Sequence, residues 1–429
     1  MAALAWSASA VCADESSARF AEPAAAYETI VSLMRDRLAQ MPGVAAVKWI
    51  AHAQVDDPTR EAQVLDRVAV RAAQLGLDVP ATRTLFEIQI RLARELQARL
   101  HREWARSGHC APCDATSELT GLRERIDAIN ENLLSALYLA ASLPPLTRDE
   151  LADALTVADA DATWAGFIPT ATDRQALFGA VSDVRFTRRA DWERIQASEV
   201  LRIGTTGDYA PFSTDESDGK VRGADVALAL DLARTLQLRP VFIHITWPTL
   251  TQDLRDDRFD VALSGISYTP ERASLGFFSV PYHHGGKTIL ARCSQRERFD
   301  TLAEVDRPGV RVIVNPGGTN ERYVRSTLHR ATIVVHRDNP TTFGELIAGT
   351  ADAMITDDVE AELQSRRHPE LCRTTPGTLT EGDKHVLVAR DGRLLAAVNS
   401  WLAAAIAAGL PPRLLLQAMT EESASRPSR

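Results

Sequence analysis

Leu201-Arg202-Ile203-Gly204-Thr205 is the stretch at which this chain of 429 residues changes character. It reads as a β-run, and the chain beyond it alternates between strand and helix. Helices are expected over 224–236 and 250–256, and strands over 240–245 and 261–264. A second set starts near Val310, with strands over 310–314, 333–335 and 353–355 and helices over 320–328 and 342–348. The chain then returns through a strand at 386–389 and a terminal helix at 394–408. Alternation of this kind predicts parallel sheets covered on both faces. The expected layout is two α/β lobes joined by two crossings. Lobe 1 takes about 199–292 and 390–424 and lobe 2 about 293–389, with hinges near Arg292 and Arg390 and a tail at 425–429.

Upstream the pattern is helical throughout. Tyr27, Ile30, Val31, Met34 and Leu38 give 24–40 a helical period that stops at Pro42-Gly43. A short helix at 44–53 comes next, then one at 58–75 with Asp57 as its cap and Gly76 as its end. Two long amphipathic helices, 80–106 and 119–141, flank a loop at 108–114. An all-α domain is therefore expected over 14–143. The stretch 144–198 reads as a helical extension, a linker, or both.

Composition excludes several classes. The net charge of −9 lacks the basic excess of a nucleic-acid binder. No apolar run reaches the roughly 18 residues that span a bilayer, so no membrane is expected as a partner. The first 13 residues carry no charged side chain, and Ala8-Ser9-Ala10 or Val11-Cys12-Ala13 offers a small-residue cleavage site. They read as the end of a secretory signal whose start was placed too late, which makes the protein exported and periplasmic. Four cysteines then remain: Cys110, Cys113, Cys293 and Cys372. An even count in an exported chain favours disulfides. A tight clip at Cys110–Cys113 and a staple at Cys293–Cys372 are one pairing. Cys110-Ala111-Pro112-Cys113 as half a zinc site or a redox motif is the alternative, with no second ligand pair and no preceding strand to support it.

The helical half holds Arg37, Lys48, Arg60 and Gln97, then Leu122-Arg123-Glu124-Arg125-Ile126 on a later helix. Over about 24–139 this resembles the all-helical (AroQ-type) chorismate mutases. The first four residues keep that family's intervals without gaps. The Leu-Arg-Glu-Arg-Ile run looks like its N-terminal motif moved to the end of the domain, as in the secreted subclass, where one chain supplies its whole pocket. The resemblance implies that Arg123 and Arg37 hold the two carboxylates of chorismate. Lys48 and Gln97 would donate to the ether oxygen, Arg60 and Glu61 would orient the ligand, and Asp57 lies nearby. The chemistry suits these residue types. An intramolecular [3,3] shift needs no nucleophile, only a fixed conformer and stabilised negative charge. Arginine gives bidentate, permanently charged contacts to carboxylates. Ala93 departs from the family, which often has a hydroxyl there. Gln97 needs no proton in order to donate, so a flat pH profile is expected.

The α/β half resembles periplasmic solute-binding proteins, and in particular the cyclohexadienyl dehydratases, over about 201–419. Thr205-Thr206-Gly207-Asp208-Tyr209-Ala210-Pro211-Phe212 and Ser264-Gly265-Ile266-Ser267-Tyr268-Thr269-Pro270-Glu271-Arg272 match its first two binding segments. Asn315-Pro316-Gly317-Gly318-Thr319-Asn320-Glu321 opens a helix in lobe 2, a place where backbone N–H groups reach an anion. Gly286-Lys287 and His368-Pro369-Glu370-Leu371-Cys372 resemble the dehydratase rather than the transport binders. The resemblance implies that Glu321 protonates the leaving hydroxyl of prephenate, a task for a buried carboxylic acid. Lys287 and Arg272 would secure carboxylates, with Thr319, Asn320 and Thr269 adding hydrogen bonds. Trp247 or Tyr209 would flank the ring. Asp357, where amino-acid binders hold an ammonium group, would admit arogenate as well.

The expected protein is thus a bifunctional enzyme that converts chorismate to prephenate and prephenate to phenylpyruvate. It needs neither metal nor organic cofactor, and it is expected to form a homo-oligomer. The competing expectation is a mutase fused to a non-catalytic amino-acid-type binding domain.

Overall fold

The computed structural model describes residues 17–114, 118–143, 150, 169–187 and 191–424. The signal remnant at 1–13, the parts of the extension at 144–149 and 151–168 and the tail at 425–429 lie outside the described residues. The chain divides into a helical unit, 21–189 with 193–198, and an α/β unit that takes 199–429 together with 1–20 and 190–192.

The helical unit is built on α1 (Pro23–Ala39), α2 (Met41–Ile50), α3 (Pro58–Gln74), α4 (Val79–Ser107) and α5 (Leu119–Ser142). Their starts reflect local chemistry. The carboxylates of Asp57 and Asp78 accept the N–H groups of Arg60 and Ala81, and a proline sits in the first turn of each helix they cap. Gly108 closes α4 in the left-handed region. One expectation fails here: Pro42-Gly43 does not separate two helices. Pro42 lies in the first turn of α2, where its missing N–H has no role, so α2 starts at Met41. Ile30, Val31, Met34 and Leu38 of α1, Leu85, Leu92 and Leu96 of α4 and Leu133, Leu134 and Leu137 of α5 are all buried, and α1 packs on both α5 and α4. Each such side chain contributes about 1.5–3 kcal/mol by burial. The helix Ala171–Asp183, opened by a Thr170–Asp173 capping box, packs against α4 and ties to it through Arg91 and Asp173 at 2.8 Å. This part of the extension therefore completes the helical unit.

The α/β unit holds two five-stranded sheets. In lobe 1 the strand Val200–Thr205 runs parallel to Arg239–His244 and Val261–Ala262, while Leu387–Val388 runs antiparallel to Val261–Ala262 and Phe277–Phe278. In lobe 2 Arg311–Val314 is parallel to Thr332–Val335 and Ala353–Asp357, while Lys287–Arg292 is antiparallel to Ala353–Asp357 and Leu371–Arg373. The sheets are thus mixed rather than parallel, because the strands next to each crossing enter from the opposite end. The lobe boundary moves with them. Lys287–Arg292 belongs to lobe 2, so the crossings lie near 283–286 and 380–386, not at Arg292 and Arg390. The N-terminal end also departs from the expected domain limit at residue 14. Ser17–Ala18 pairs with Val221–Arg222 as part of a small antiparallel sheet of the α/β unit. A second C-terminal helix, Leu410–Ala424, comes after the turn at Gly409. Disulfides join Cys110 to Cys113 and Cys293 to Cys372.

Two candidate active clefts

In the helical unit α1 to α5 line one open cleft. Arg37, Lys48, Asp57, Arg60, Glu61, Gln97 and Arg123 all line it, so every residue expected of this half from the sequence stands around one space. Arg37 is buried, with Nε donating to Asn130 Oδ1 at 3.0 Å and Nη1 to the Gln89 carbonyl at 3.1 Å. These bonds fix the guanidinium plane. Burial pushes it down to about 10, which leaves it charged at neutral pH. Lys48 Nζ donates to the Val55 carbonyl at 2.5 Å, and burial lowers its pKa from the ordinary lysine value. Arg60 is held by Asp127 at 2.7 Å, and Arg123 by Asp57 at 2.8 Å. The Gln97 amide nitrogen donates to the Ala93 carbonyl at 3.2 Å, while its buried Oε1 has no partner among the described residues. Arg94, beside Glu61 at 3.6 Å, adds a fifth cation to the lining, against two carboxylates. Apolar walls from Val44, Val64, Ile90 and Ile126 complete a site suited to a compact dianion with a hydrocarbon ring.

In the α/β unit a second cleft, about 350 Å³, lies between the lobes. Tyr209, Trp247, Gly265, Ser267 and Arg272 come from lobe 1, and Asn315, Thr319, Asn320, Asp357 and Glu360 from lobe 2, with Lys384 on the returning crossing. Gly317 shows how closely the lobes approach. Its φ is +83°, and a Cβ there would stand 2.7 Å from the Pro248 nitrogen. Arg272 is buried, with Nη1 donating to the Ser267 carbonyl at 3.0 Å, and lies 5.8 Å from the centre of the Trp247 ring. Burial brings it down to about 10.

Asp357 is the electrostatic centre of this cleft. Lys287 Nζ donates to it at 2.8 Å, Lys384 Nζ at 2.5 Å, and the Tyr209 hydroxyl donates as well. Burial alone would raise this carboxyl, but the two ammonium groups outweigh it and hold Asp357 well below the usual carboxylate range. Lys287 also donates to Thr319 at 3.1 Å and Asn320 at 2.5 Å, so its ammonium binds together three residues of the lobe 2 wall.

The structure places the expected acid, Glu321, apart from the other cleft residues. Glu321 does not line the cleft. Its Oε2 accepts the Gly317 N–H at 2.8 Å and its Oε1 pairs with Arg325 at 2.8 Å. The Gly317 bond, with Arg325, lowers its pKa, the reverse of what an acid catalyst needs. The carboxyl turns back onto the backbone just ahead of its own helix. Glu360 has the properties sought: it lines the cleft, is 2 % exposed, and burial pushes it up to about 8. Thr356 donates to it and in turn accepts from Asn320 at 3.2 Å. Thr269 is likewise removed from the lining; its hydroxyl accepts the Arg272 N–H at 3.2 Å and holds the turn that carries the arginine. In the sequence Glu360 is marked, within Asp357-Asp358-Val359-Glu360, only as one turn beyond the binding aspartate. Nothing local marks Lys384.

Comparison with known proteins finds a match in each unit. Residues 201–415 match the bacterial extracellular solute-binding proteins, family 3, and residues 27–98 match chorismate mutase type II. A cyclohexadienyl dehydratase of Pseudomonas aeruginosa is 47 % identical over 219 residues, which is 51 % of this chain and 82 % of that protein. The L-cystine-binding protein of Escherichia coli K12 is 25 % identical over 229 residues, 53 % of this chain and 85 % of that protein. An amino acid transporter substrate-binding protein of Streptococcus pneumoniae, solved bound to L-arginine, has a TM-score of 0.51 at 22 % identity, covering 55 % of this chain and 100 % of that one. The last shares the fold.

Proposed function

The chain belongs, through residues 201–415, to the bacterial extracellular solute-binding proteins of family 3, and carries a chorismate mutase segment ahead of them; on that premise we propose a two-step enzyme that takes chorismate through prephenate to phenylpyruvate. The relative at 47 % identity supports a dehydratase rather than a transport binder for the second unit. The observation that carries the reading is Glu360, a buried carboxyl that burial pushes up to about 8, in a cleft also lined by Arg272, Lys384 and Asp357.

In the helical cleft Arg37 and Arg123 grip the two carboxylates of chorismate and hold the ring and side chain within bonding reach. Lys48 and the Gln97 amide donate to the ether oxygen as its bond to the ring breaks and negative charge grows there. Arg60 and Glu61 orient the remaining polar groups, with Asp57 holding Arg123 in place. One chain supplies all of these, as the cleft lining supports.

In the α/β cleft Glu360 gives its proton to the departing hydroxyl of prephenate. The bond from the ring to its carboxylate breaks at the same time, its electron pair completes the aromatic ring, and water and carbon dioxide leave. Arg272, with Lys384 and Lys287, supplies the positive field for the substrate's carboxylates, while Thr319 and Asn320 add hydrogen bonds. Tyr209 and Trp247 flank the ring. Retention of Asp357 extends the reading to arogenate. The two disulfides and the extracellular family support export to the periplasm.

The test is to feed chorismate to the intact chain and follow prephenate and phenylpyruvate. Wild type yields phenylpyruvate, and Glu360→Gln stops at prephenate. Prephenate as the end product of both proteins would reduce the α/β unit to a binding domain.

A further inference from the structure

Outside the groups that would touch substrate, one buried carboxylate is tied directly to the cleft wall. Asp225 sits in the first turn of the helix Ala224–Thr235 and is fully buried. Its Oδ2 accepts two hydrogen bonds, from the Gly265 N–H at 2.6 Å and from the Tyr282 hydroxyl at 2.6 Å. Its Oδ1 has no hydrogen-bond partner among the described residues. It lines a small pocket with Tyr282, His283 and, from the C-terminal helix, Pro411 and Pro412. A carboxylate placed in such surroundings costs stability unless its bonds compensate. Its two donors come from separate segments: Gly265 lines the interlobe cleft, and Tyr282 precedes the first crossing between lobes.

We infer that Asp225 is a positioning residue of the dehydratase, one that fixes the 265–272 wall of the cleft to the segment that crosses between lobes. The inference rests on the dehydratase reading given above. Gly265 leaves no slack in that wall. Its φ is +61°, and a Cβ there would stand 2.6 Å from the Tyr209 ring, the same ring whose hydroxyl donates to Asp357. Two residues on, the Ser267 carbonyl accepts from Arg272, the guanidinium that would hold a substrate carboxylate. Displacement of the Gly265 amide is therefore passed to Tyr209 on one side and to Arg272 on the other. Burial pushes Asp225 up to about 6, with the Tyr282 and Gly265 bonds and Lys384 acting against it.

The experiment compares Asp225→Asn and Asp225→Ala with wild type in the intact chain, with the mutase reaction of the same molecule as the control for folding. The alanine variant should raise KM for prephenate about tenfold while kcat stays within about threefold, the scale of a lost hydrogen bond to a charged group. The asparagine variant keeps an acceptor and should recover most of that loss. Amide exchange over 262–270 should quicken in the alanine variant, with protection elsewhere in the unit unchanged. Wild-type KM and wild-type exchange in Asp225→Ala would overturn the assignment. So would equal loss of mutase and dehydratase, which marks a general folding defect. A wild-type chain inert toward prephenate would instead overturn the dehydratase reading itself, and is told apart by needing no variant.

Discussion

The two clefts solve related problems with opposite means. Both must hold a dicarboxylate with a six-membered ring. The helical cleft does so with charges fixed on α1 to α5 by contacts such as Arg37 to Asn130 and Arg60 to Asp127. The α/β cleft keeps one group, Glu360, near its point of titration, and it closes between lobes rather than within one rigid body. The difference comes from the chemistry. A rearrangement moves no proton, so a fixed field suffices. A dehydration must deliver one, so the protein needs a group that lets go of a proton at working pH.

The sharpest way to break this contrast is a reciprocal pair of variants. Glu360→Gln should lower dehydratase kcat by about 10²–10⁴-fold, the range for loss of a general acid, and leave the mutase rate alone. Lys48→Ala should lower the mutase rate by about 10²–10³-fold, as for loss of one donor to a developing anion, and leave prephenate turnover alone. Initial rates with chorismate and with prephenate, measured separately, decide both. A shared loss in either variant would mean that the two reactions do not occupy separate clefts.

The next effect is one of pH. Glu360 must be protonated to act, and burial sets its pKa at about 8. Dehydratase kcat should therefore be level below pH 8 and fall about tenfold per unit above it, while the mutase stays flat from pH 6 to 8. Stability has a matching sign. A carboxyl raised in the fold binds its proton more tightly than in the unfolded chain. The α/β unit thus loses stability as pH rises from the ordinary glutamate range to about 8, and changes no further on this account. Urea midpoints across that window check it; a midpoint that climbs with pH would remove Glu360 from this role.

The fixed field can also be converted into a titrating one. Gln97→Glu places an ionisable group where the amide donates, at a position only 5 % exposed. The variant should lose about tenfold of its mutase rate at neutral pH and regain it on acidification, because only the protonated acid donates. The helical cleft would then carry the pH dependence of its neighbour. A variant as flat as wild type would show that Gln97 does not donate to the reacting oxygen.

How much of this is legible in the sequence depends on distance along the chain. The helix cap at Asp57 and the proline after it are local, so the sequence alone reveals them. Arg37, Lys48, Arg60 and Gln97 keep the intervals of the chorismate mutases they resemble, so their convergence is implied by that resemblance. The α/β cleft is assembled from segments as far apart as Tyr209 and Lys384, and there local pattern fails in particular places. The helix Asp358–Arg367 escapes it because its first turn, Asp358-Val359-Glu360, shows no apolar period, and Glu360 is lost with it. Lys384 lies on a crossing segment whose partners, Ser267 and Asp357, are set by lobe closure. The strand Lys287–Arg292 has a readable apolar run, but its lobe is decided by pairing with Ala353–Asp357, which no local pattern encodes.

The smallest predicted effect bears on the residue that the sequence favoured. Glu321 stands three residues from the glycines of a helix start, a position where an acid is expected for catalysis and for capping alike. The structure separates the two, because the carboxyl turns back to the Gly317 N–H and outward to Arg325. Glu321→Gln keeps an oxygen that can accept from Gly317 and loses only the charge. Dehydratase kcat should stay within about twofold, and stability should fall by no more than about 0.3–1 kcal/mol, the scale of one charge at a helix N-terminus. The native carboxyl lies below its ordinary value, so this contribution is present above the glutamate range and fades as pH falls through it. The variant should differ from wild type at neutral pH and match it in acid. A drop in kcat of about a hundredfold or more, with the mutase intact, would return the acid to Glu321 and leave Glu360 as a buried structural group.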